Sequence, residues 1–338
     1  MCRRARGSRS RDARRSDARR RDARQRGGRG VSASERARYD AAARAASETV
    51  IASYSTSFSL AVRLLPPGQR ADVRAVYGLV RLADEVVDGA LDEVAPDART
   101  RLLDDLEDEV ALSLVRGCST NLVVHAFTLA ALRCGIDATL TEPFFAAMRT
   151  DLVQGDHDPA SLATYVHGSA EVVGLMCLRV FAADLPPADR QRLLHEAAPG
   201  ACALGSAFQK VNFVRDLGAD LDERGRRYLA DLATAPTDAA RDAALDDVDA
   251  EIALARTAVP LLPPGARRAV VAATALFAEL SRRLRTTPAH AIASTRVSVP
   301  AARKARVVGG ALLRDAAARR PRGARGRRVR PVVRQGVA

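Results

Sequence analysis

The chain has 338 residues, a formal net charge of +13 and no tryptophan, with 47% hydrophobic and 28% charged residues. That length suits one large folded domain or two, and no apolar run approaches the ~18 residues of a membrane span. The basic charge sits at the ends: residues 1–30 carry thirteen Arg and three Asp and residues 314–338 nine Arg and one Asp, which leaves 31–313 at −5 and argues against a nucleic-acid-binding surface on the folded part.

Residues 1–34 repeat RDAR at 11–14 and 21–24, with SDAR at 16–19, and are almost without apolar side chains. They are expected to form a disordered Arg-rich tail. The tail lacks the apolar face of a targeting peptide and reads as a stretch translated ahead of a start near Val31; binding to nucleic acid or acidic lipid is the alternative. From there the apolar period is 3.6 and strand alternation is scarce. Helices are predicted near 35–53, 69–89, 97–116, 121–134, 138–153, 161–182, 187–198, 201–221, 239–258, 264–286 and 300–318. PPGQ at 66–69, DLPPAD at 184–189, APG at 198–200 and LPPGA at 262–266 mark breaks between them. The expectation is an all-α single domain over 35–313 whose helices surround a central cavity. Residues 314–338 are expected as a second disordered basic tail, with contact to anionic lipid head groups as the alternative. The five cysteines and five histidines show no ligand spacing, which fits buried thiols in a reducing cytosol and argues against zinc.

Two helices carry polar stripes. At about 100° per residue, Tyr77, Arg81, Asp84 and Asp88 fall within about 60° of one another, beside Val73, Val76, Val80 and Val87. With Gln209 set at zero, Asn212, Asp216 and Asp220 fall at about −60°, −20° and 20°, and Arg215 lies about 120° away. Taken singly, each stripe also reads as i,i+4 charge on a solvated face. As a pair, over a hundred residues apart, they read as two carboxylate helices facing one pocket. Crowded carboxylates need a cation, and oxygen donors without His or Cys suit Mg²⁺ bound together with a diphosphate.

The segments SYSTSFSLAVRLLP (53–66), AVYGLVRLADEVVD (75–88) and QKVNFVRDLGADLDERGRRYL (209–229) resemble the phytoene and squalene synthase family in order and spacing. These are head-to-head prenyl transferases with an isoprenoid synthase helical bundle, and the likeness spans roughly 53–313. It implies metal ligation by Asp84, Asp88, Asp216 and Asp220, with Asn212 supporting and Gln209 beside substrate. It further implies diphosphate contacts from Ser55 and Ser57, with Phe58 alongside; Thr56 stands where the family often has a basic residue. Arg81, Arg215 and Arg227 are candidates to neutralise departing diphosphate, Arg227–Tyr228 being matched to the family's R-x-Y-[FL] ending and Arg224 and Arg226 left to a solvated loop. In MRTDLVQGDHDPASLATYVHGSAEVVGLMCLRVF (148–181), Tyr165 matches a tyrosine near the reacting carbons. Ala170, Val173 and Gly174 match small residues that let a prenyl chain approach, or else serve close helix packing. Tyr77 and Tyr165, or diphosphate itself, are the candidate bases; Phe58, Tyr77, Tyr165 and Phe208 are candidate faces for a carbocation.

STRVSVPAARKARV at 294–307 resembles the C-terminal segment of the family's phytoene-forming members, with Arg296 and Lys304 matching; the tyrosine expected before that arginine is absent, with Ala291 or thereabouts in its place. The resemblance thus implies condensation of two geranylgeranyl diphosphates to phytoene with Mg²⁺, or Mn²⁺, and no NADPH. Squalene or hydroxysqualene formation from two farnesyl diphosphates, and a non-catalytic relative, are the alternatives. Prenyl diphosphates are the expected partners of a monomer or weak dimer, cytoplasmic, with peripheral contact to the cytoplasmic membrane face as an option and no nucleic acid.

Overall fold

The computed structural model describes residues 33–319 apart from 90, 92 and 223. Residues 1–32 and 320–338, and with them most of both expected tails, lie outside the described residues. Helix α1 covers 33–54, followed by α2 (Thr56–Val62), α3 (Pro67–Asp88), α4 (Pro96–Arg116), α5 (Leu122–Cys134) and α6 (Ala138–Val153). Helix α7 (Pro159–Val166) runs through a π turn (His167–Glu171) into α8 (Val172–Ala182). Then come α9 (Pro187–Glu196), α10 (Ala198–Arg215), α11 (Leu217–Asp222), α12 (Ala230–Thr234), α13 (Asp238–Ala258), α14 (Pro264–Arg285), α15 (Ala289–Ile292) and α16 (Ala301–Ala318). Among the described residues there is no strand, only an isolated bridge between Asp156 and Arg227. No described helix is long and apolar enough to cross a membrane.

The breaks have local causes. Proline opens α3, α4, α7, α9 and α14, where its missing N–H has no intrahelical role. Gly117 and Gly135 close α4 and α5 at φ 71° and 76°, a left-handed conformation that a β-carbon disfavours. Two short elements escape the periodicity, α12 and α15, because four or five residues carry too little pattern. Helix α2 escapes for another reason: Ser55 caps it, accepting from Phe58 N at 3.2 Å, where the sequence suggested only a hydroxyl-rich segment. Helix α16 extends to Ala318, so residues 314–318 are helical rather than part of the expected tail.

The main core gathers α3 through α8 around Phe127, Phe144 and Phe145, all fully buried. Helix α10 crosses the π turn so closely that small residues are obligatory. A β-carbon on Gly205 would stand 2.4 Å from the Ala170 carbonyl oxygen, and one on Gly174 would stand 2.4 Å from that of Ala201. The packing reading of Gly174 and Ala170 is therefore the one the backbone supports. On the far side, Glu279 of α14 accepts from Arg282 (2.8 and 3.0 Å) and from Arg303 of α16 (2.9 and 3.1 Å). These two guanidinium groups, Arg282 foremost, hold its carboxyl down at about 2.

Two outcomes are expected. Gly205→Ala forces α10 off the π turn and should cost about 1–3 kcal/mol, read as a lower urea midpoint at unchanged m-value. Glu279 binds its proton more weakly folded than unfolded. Its contribution is therefore full above the ordinary glutamate range and lost as pH falls towards the folded value. The gap in Tm between wild type and Glu279→Gln should be constant above about pH 5 and narrow progressively below about pH 4.5; a gap that widens on acidification would refute the clamp.

Candidate functional site

Helix α3 presents Tyr77, Arg81, Asp84 and Asp88 along one side, as the stripe predicts. Asp84 is half-buried, with 35% of its side chain accessible. Burial, followed by the charges of Asp88, Asp151 and Glu85, raises its carboxyl to about 7 against the pull of Arg81. Cys177 on α8 is half-buried, and burial pushes its thiol up to about 12. It stands one turn beyond half-buried Val173. Phe58 stacks on Tyr77 with centroids 5.6 Å apart, and Tyr77 is half-buried, its phenol raised by burial. Arg81 bonds Glu85 at 2.8 Å and lies 4.2 Å over the Tyr54 ring, 4.0 Å from Asp84.

The second stripe is broken. Helix α10 ends at Arg215 and Asp216 is its C-cap, with α11 starting at Leu217. A carboxylate at a helix C-terminus is unfavourable. Asp216 is offset by Arg215, whose Nε stands 2.9 Å away, and by Arg296 Nε at 2.9 Å. Gly218 makes the second contact feasible: its missing β-carbon would stand 1.8 Å from the Ala293 carbonyl oxygen, so the chain before Arg296 lies directly on α11. Asp220 accepts from Arg224 at 3.2 Å. Burial, then Asp216 and Asp88, raises it to about 6 despite Arg224. The Arg226 backbone N–H donates to the Asp220 carbonyl oxygen at 2.8 Å while its side chain donates to Asp88, which brings the two carboxylate helices together. Asn212 points a buried Oδ1 with no partner; Gln209 is half-buried on the same helix.

Sequence reasoning missed the group that joins the two halves. Arg226, only 7% exposed, donates to Asp88, to the Asp151 carbonyl oxygen at 2.8 Å and to the Tyr228 hydroxyl at 3.4 Å. Arg227 instead points outward to Asp156 at 3.1 Å and is 56% exposed. The R-x-Y spacing, applied strictly to Arg226-Arg227-Tyr228, selects Arg226; the sequence carried that signal. Asp151 was also missed. It accepts from Tyr165 at 2.6 Å and Tyr228 at 2.8 Å, and burial raises it to about 7 although Arg226 opposes the rise. Around it Tyr228 stacks on Phe213 (4.2 Å), Tyr165 (5.2 Å) and His157 (5.4 Å). Tyr165 holds its proton tightly, raised by burial and by the Asp151 charge, and spends it on Asp151. In this arrangement it positions a carboxylate and is not set up as a base. Phe208 is stacked at 3.6 Å on Phe277.

The hydroxyl segment lies under α16. Lys304 Nζ donates to Thr56 Oγ1 at 2.6 Å, which brings an ammonium between Ser55 and Ser57. A surface concavity of about 520 Å³ is lined by Asp156, His157, Arg227, Ala230, Ala233 and Thr234. It holds none of the four stripe aspartates, and its Arg and Asp already neutralise each other, so the chemistry is not assigned there. Among the described residues no three His, Cys, Asp or Glu side chains form a ready metal cage. The donors nevertheless fit a hard divalent cation. They are all oxygen, two of the carboxylates are raised by burial with neighbouring carboxylates adding to it, and Asn212 has a spare acceptor. Mg²⁺ typically takes one or two carboxylates and completes its shell with phosphate oxygens and water.

The squalene/phytoene synthase family profile matches residues 51–303. A phytoene synthase of Arthrospira platensis is 31% identical over 185 residues, covering 53% of this chain and 58% of the relative. Phytoene synthase 1 of Arabidopsis thaliana is 32% identical over 59% of this chain and 44% of the relative. The chain thus spans about half the length of these curated relatives. A 15-cis-phytoene synthase of a Paracoccus species is 29% identical over 68% of this chain and 78% of its own length. Among solved structures, a dehydrosqualene synthase superposes with TM-score 0.68 at 20% identity, covering 82% of this chain and 98% of that one. A squalene synthase from Alicyclobacillus acidocaldarius gives 0.61 at 22%, covering 73% and 95%. These two likenesses speak for the all-α fold, and the match over 51–303 places the chain in the squalene/phytoene synthase family.

Proposed function

We propose that the chain is a phytoene synthase, which condenses two geranylgeranyl diphosphates head to head. The observation that carries this is the joining of both aspartate helices through Arg226, whose side chain donates to Asp88 and whose backbone N–H donates to the Asp220 carbonyl oxygen; the names of the relatives support the product. In the first half-reaction one substrate loses diphosphate and becomes an allylic cation. The double bond of the second attacks it and a proton leaves, giving a cyclopropylcarbinyl diphosphate. Loss of the second diphosphate, rearrangement and loss of another proton give phytoene. No hydride donor is required.

Asp84, Asp88, Asp216 and Asp220, with Asn212, are the residues that would hold Mg²⁺ or Mn²⁺, whose chemistry is to neutralise diphosphate charge as the carbon–oxygen bond breaks. Arg215 and Arg296 bring forked donors to the Asp216 end and Arg226 to the Asp88 end; a guanidinium suits phosphate oxygens in this way. Lys304 supplies, from α16, the cation that Thr56 does not provide within 55–58, beside Ser55 and Ser57. The Phe58–Tyr77 stack offers ring faces to a carbocation. Val173 and Cys177, half-buried on α8, are the residues against which a prenyl chain would lie.

Asp84→Asn and Asp216→Asn should each lower kcat by more than about 100-fold at unchanged helical circular dichroism. Arg226→Gln should cost about 10²–10³ in kcat and Arg227→Gln under about threefold. Equal losses at the two arginines would refute the role given to Arg226. With geranylgeranyl diphosphate and Mg²⁺ alone, chromatography should find phytoene and diphosphate. Squalene from farnesyl diphosphate only when NADPH is added, with nothing from the C20 substrate, would overturn the product.

A further inference from the structure

A second concavity lies away from the carboxylates, between the C-terminal part of α13, the turn Val259–Leu261, the first half of α14 and the end of α16. Its volume is about 430 Å³. Three arginines line it, Arg256, Arg267 and Arg314, against one carboxylate, Asp315. That carboxylate is already engaged on both oxygens: Arg267 donates to Oδ1 at 3.0 and 2.8 Å and Arg319 donates to Oδ2. Arg256 and Arg314 find no carboxylate among the described residues, and both are exposed at the rim. The lining therefore carries an uncompensated positive charge in a concave setting, where field lines concentrate.

Thr274 supplies an independent observation. It lines the same space, is 3% exposed, and its Oγ1 is buried without a hydrogen-bond partner. An unmade hydrogen bond on a buried hydroxyl costs free energy that a ligand oxygen would recover. The remaining wall is apolar, from Val259, Pro260, Val271, Ala275 and Ala311. Cationic rim, apolar wall and one unsatisfied hydroxyl together describe the complement of an amphiphilic anion.

We propose that this concavity binds a phosphate or diphosphate group carrying a short apolar segment, its oxygens on Arg256 and Arg314 and one of them on the Thr274 hydroxyl. Guanidinium–phosphate contacts are charge-assisted and forked, which suits two arginines converging on one head group. The site is separate from the chemistry proposed above and does not depend on it. The same head-group chemistry is available from an anionic membrane lipid and from a soluble phosphate, and the test separates the two.

The full-length protein is compared with Arg256→Glu/Arg314→Glu and with Arg268→Glu/Arg306→Glu. The second variant makes the same charge change at exposed positions on α14 and α16 that do not line the concavity. One arm measures co-sedimentation with phosphatidylglycerol vesicles, the other the shift of Tm by inorganic diphosphate. If a lipid head group is the ligand, the first variant should bind vesicles about tenfold more weakly than the second. If a soluble phosphate is the ligand, the difference should appear in the diphosphate-induced shift instead. Thr274→Val should raise Tm without ligand, because an orphan hydroxyl is removed, while shrinking the ligand effect. Equal behaviour of the two charge variants in both arms, or a Thr274→Val protein that responds to ligand like wild type, would overturn the site.

Discussion

Asp84, Asp151 and Asp220 lie close enough to Asp88 and to other carboxylates that each neighbouring charge adds to the cost of ionising them. Asp84 and Asp151 are raised to about 7 and Asp220 to about 6, with desolvation as the leading cause and neighbouring carboxylates adding to it. A fold can hold such a cluster only by surrounding it with cations and donors, and the surrounding architecture does so. Arg226 is threaded between Asp88 and the Asp151 backbone, two tyrosines donate to Asp151, and Arg224 reaches Asp220. Removing one partner of a buried charge costs more than the pair itself contributes, because the other is left uncompensated. The repulsion that remains is what a bound divalent cation would relieve.

The helices that carry these groups are set by a different constraint, which is distance between backbones. Gly174 and Gly205 let α8 and the π turn touch α10, and Gly218 lets the chain before Arg296 touch α11. A π turn inserts an extra residue into the helical ladder and is often found beside functional sites. Here it sits two residues after Tyr165, so the aromatic face and the packing face of the same long helix are out of ordinary register. The clamp of Glu279 on Arg303 then fixes α16, and Lys304, the next residue, lands on Thr56.

Much of this was legible in the sequence. The 3.6 period and the proline punctuation located the long helices, and the two aspartate stripes were visible as geometry. What escaped was of two kinds. Helices α12 and α15 are too short for a period to show. Arg226 and Asp151 carry no local mark of burial: one lies among three arginines of a loop, the other near the end of a helix followed by polar residues, and only the tertiary approach of 151 to 226–228 reveals them. Arg227 drew attention because it adjoins Tyr228, but its neighbour is the one directed inward. Lys304 was matched by motif, whereas its contact with Thr56 spans 248 residues of sequence, and no local pattern encodes that.

The stack of Tyr165, Tyr228, Phe213 and His157 has an optical side. The chain has five tyrosines and no tryptophan, so all its intrinsic emission comes from phenols. Two of the five donate their hydroxyls to the Asp151 carboxylate, an arrangement that quenches tyrosine emission by excited-state proton transfer. Tyr39, Tyr54 and Tyr77 therefore supply the light, and Tyr77 is the one stacked on Phe58. Protonation of Asp151, or any shift of Arg226 that loosens the two phenols, brightens the protein without a label. Near-ultraviolet circular dichroism gains from the same economy: with no indole bands to mask them, the coupled rings beside the carboxylates dominate the spectrum.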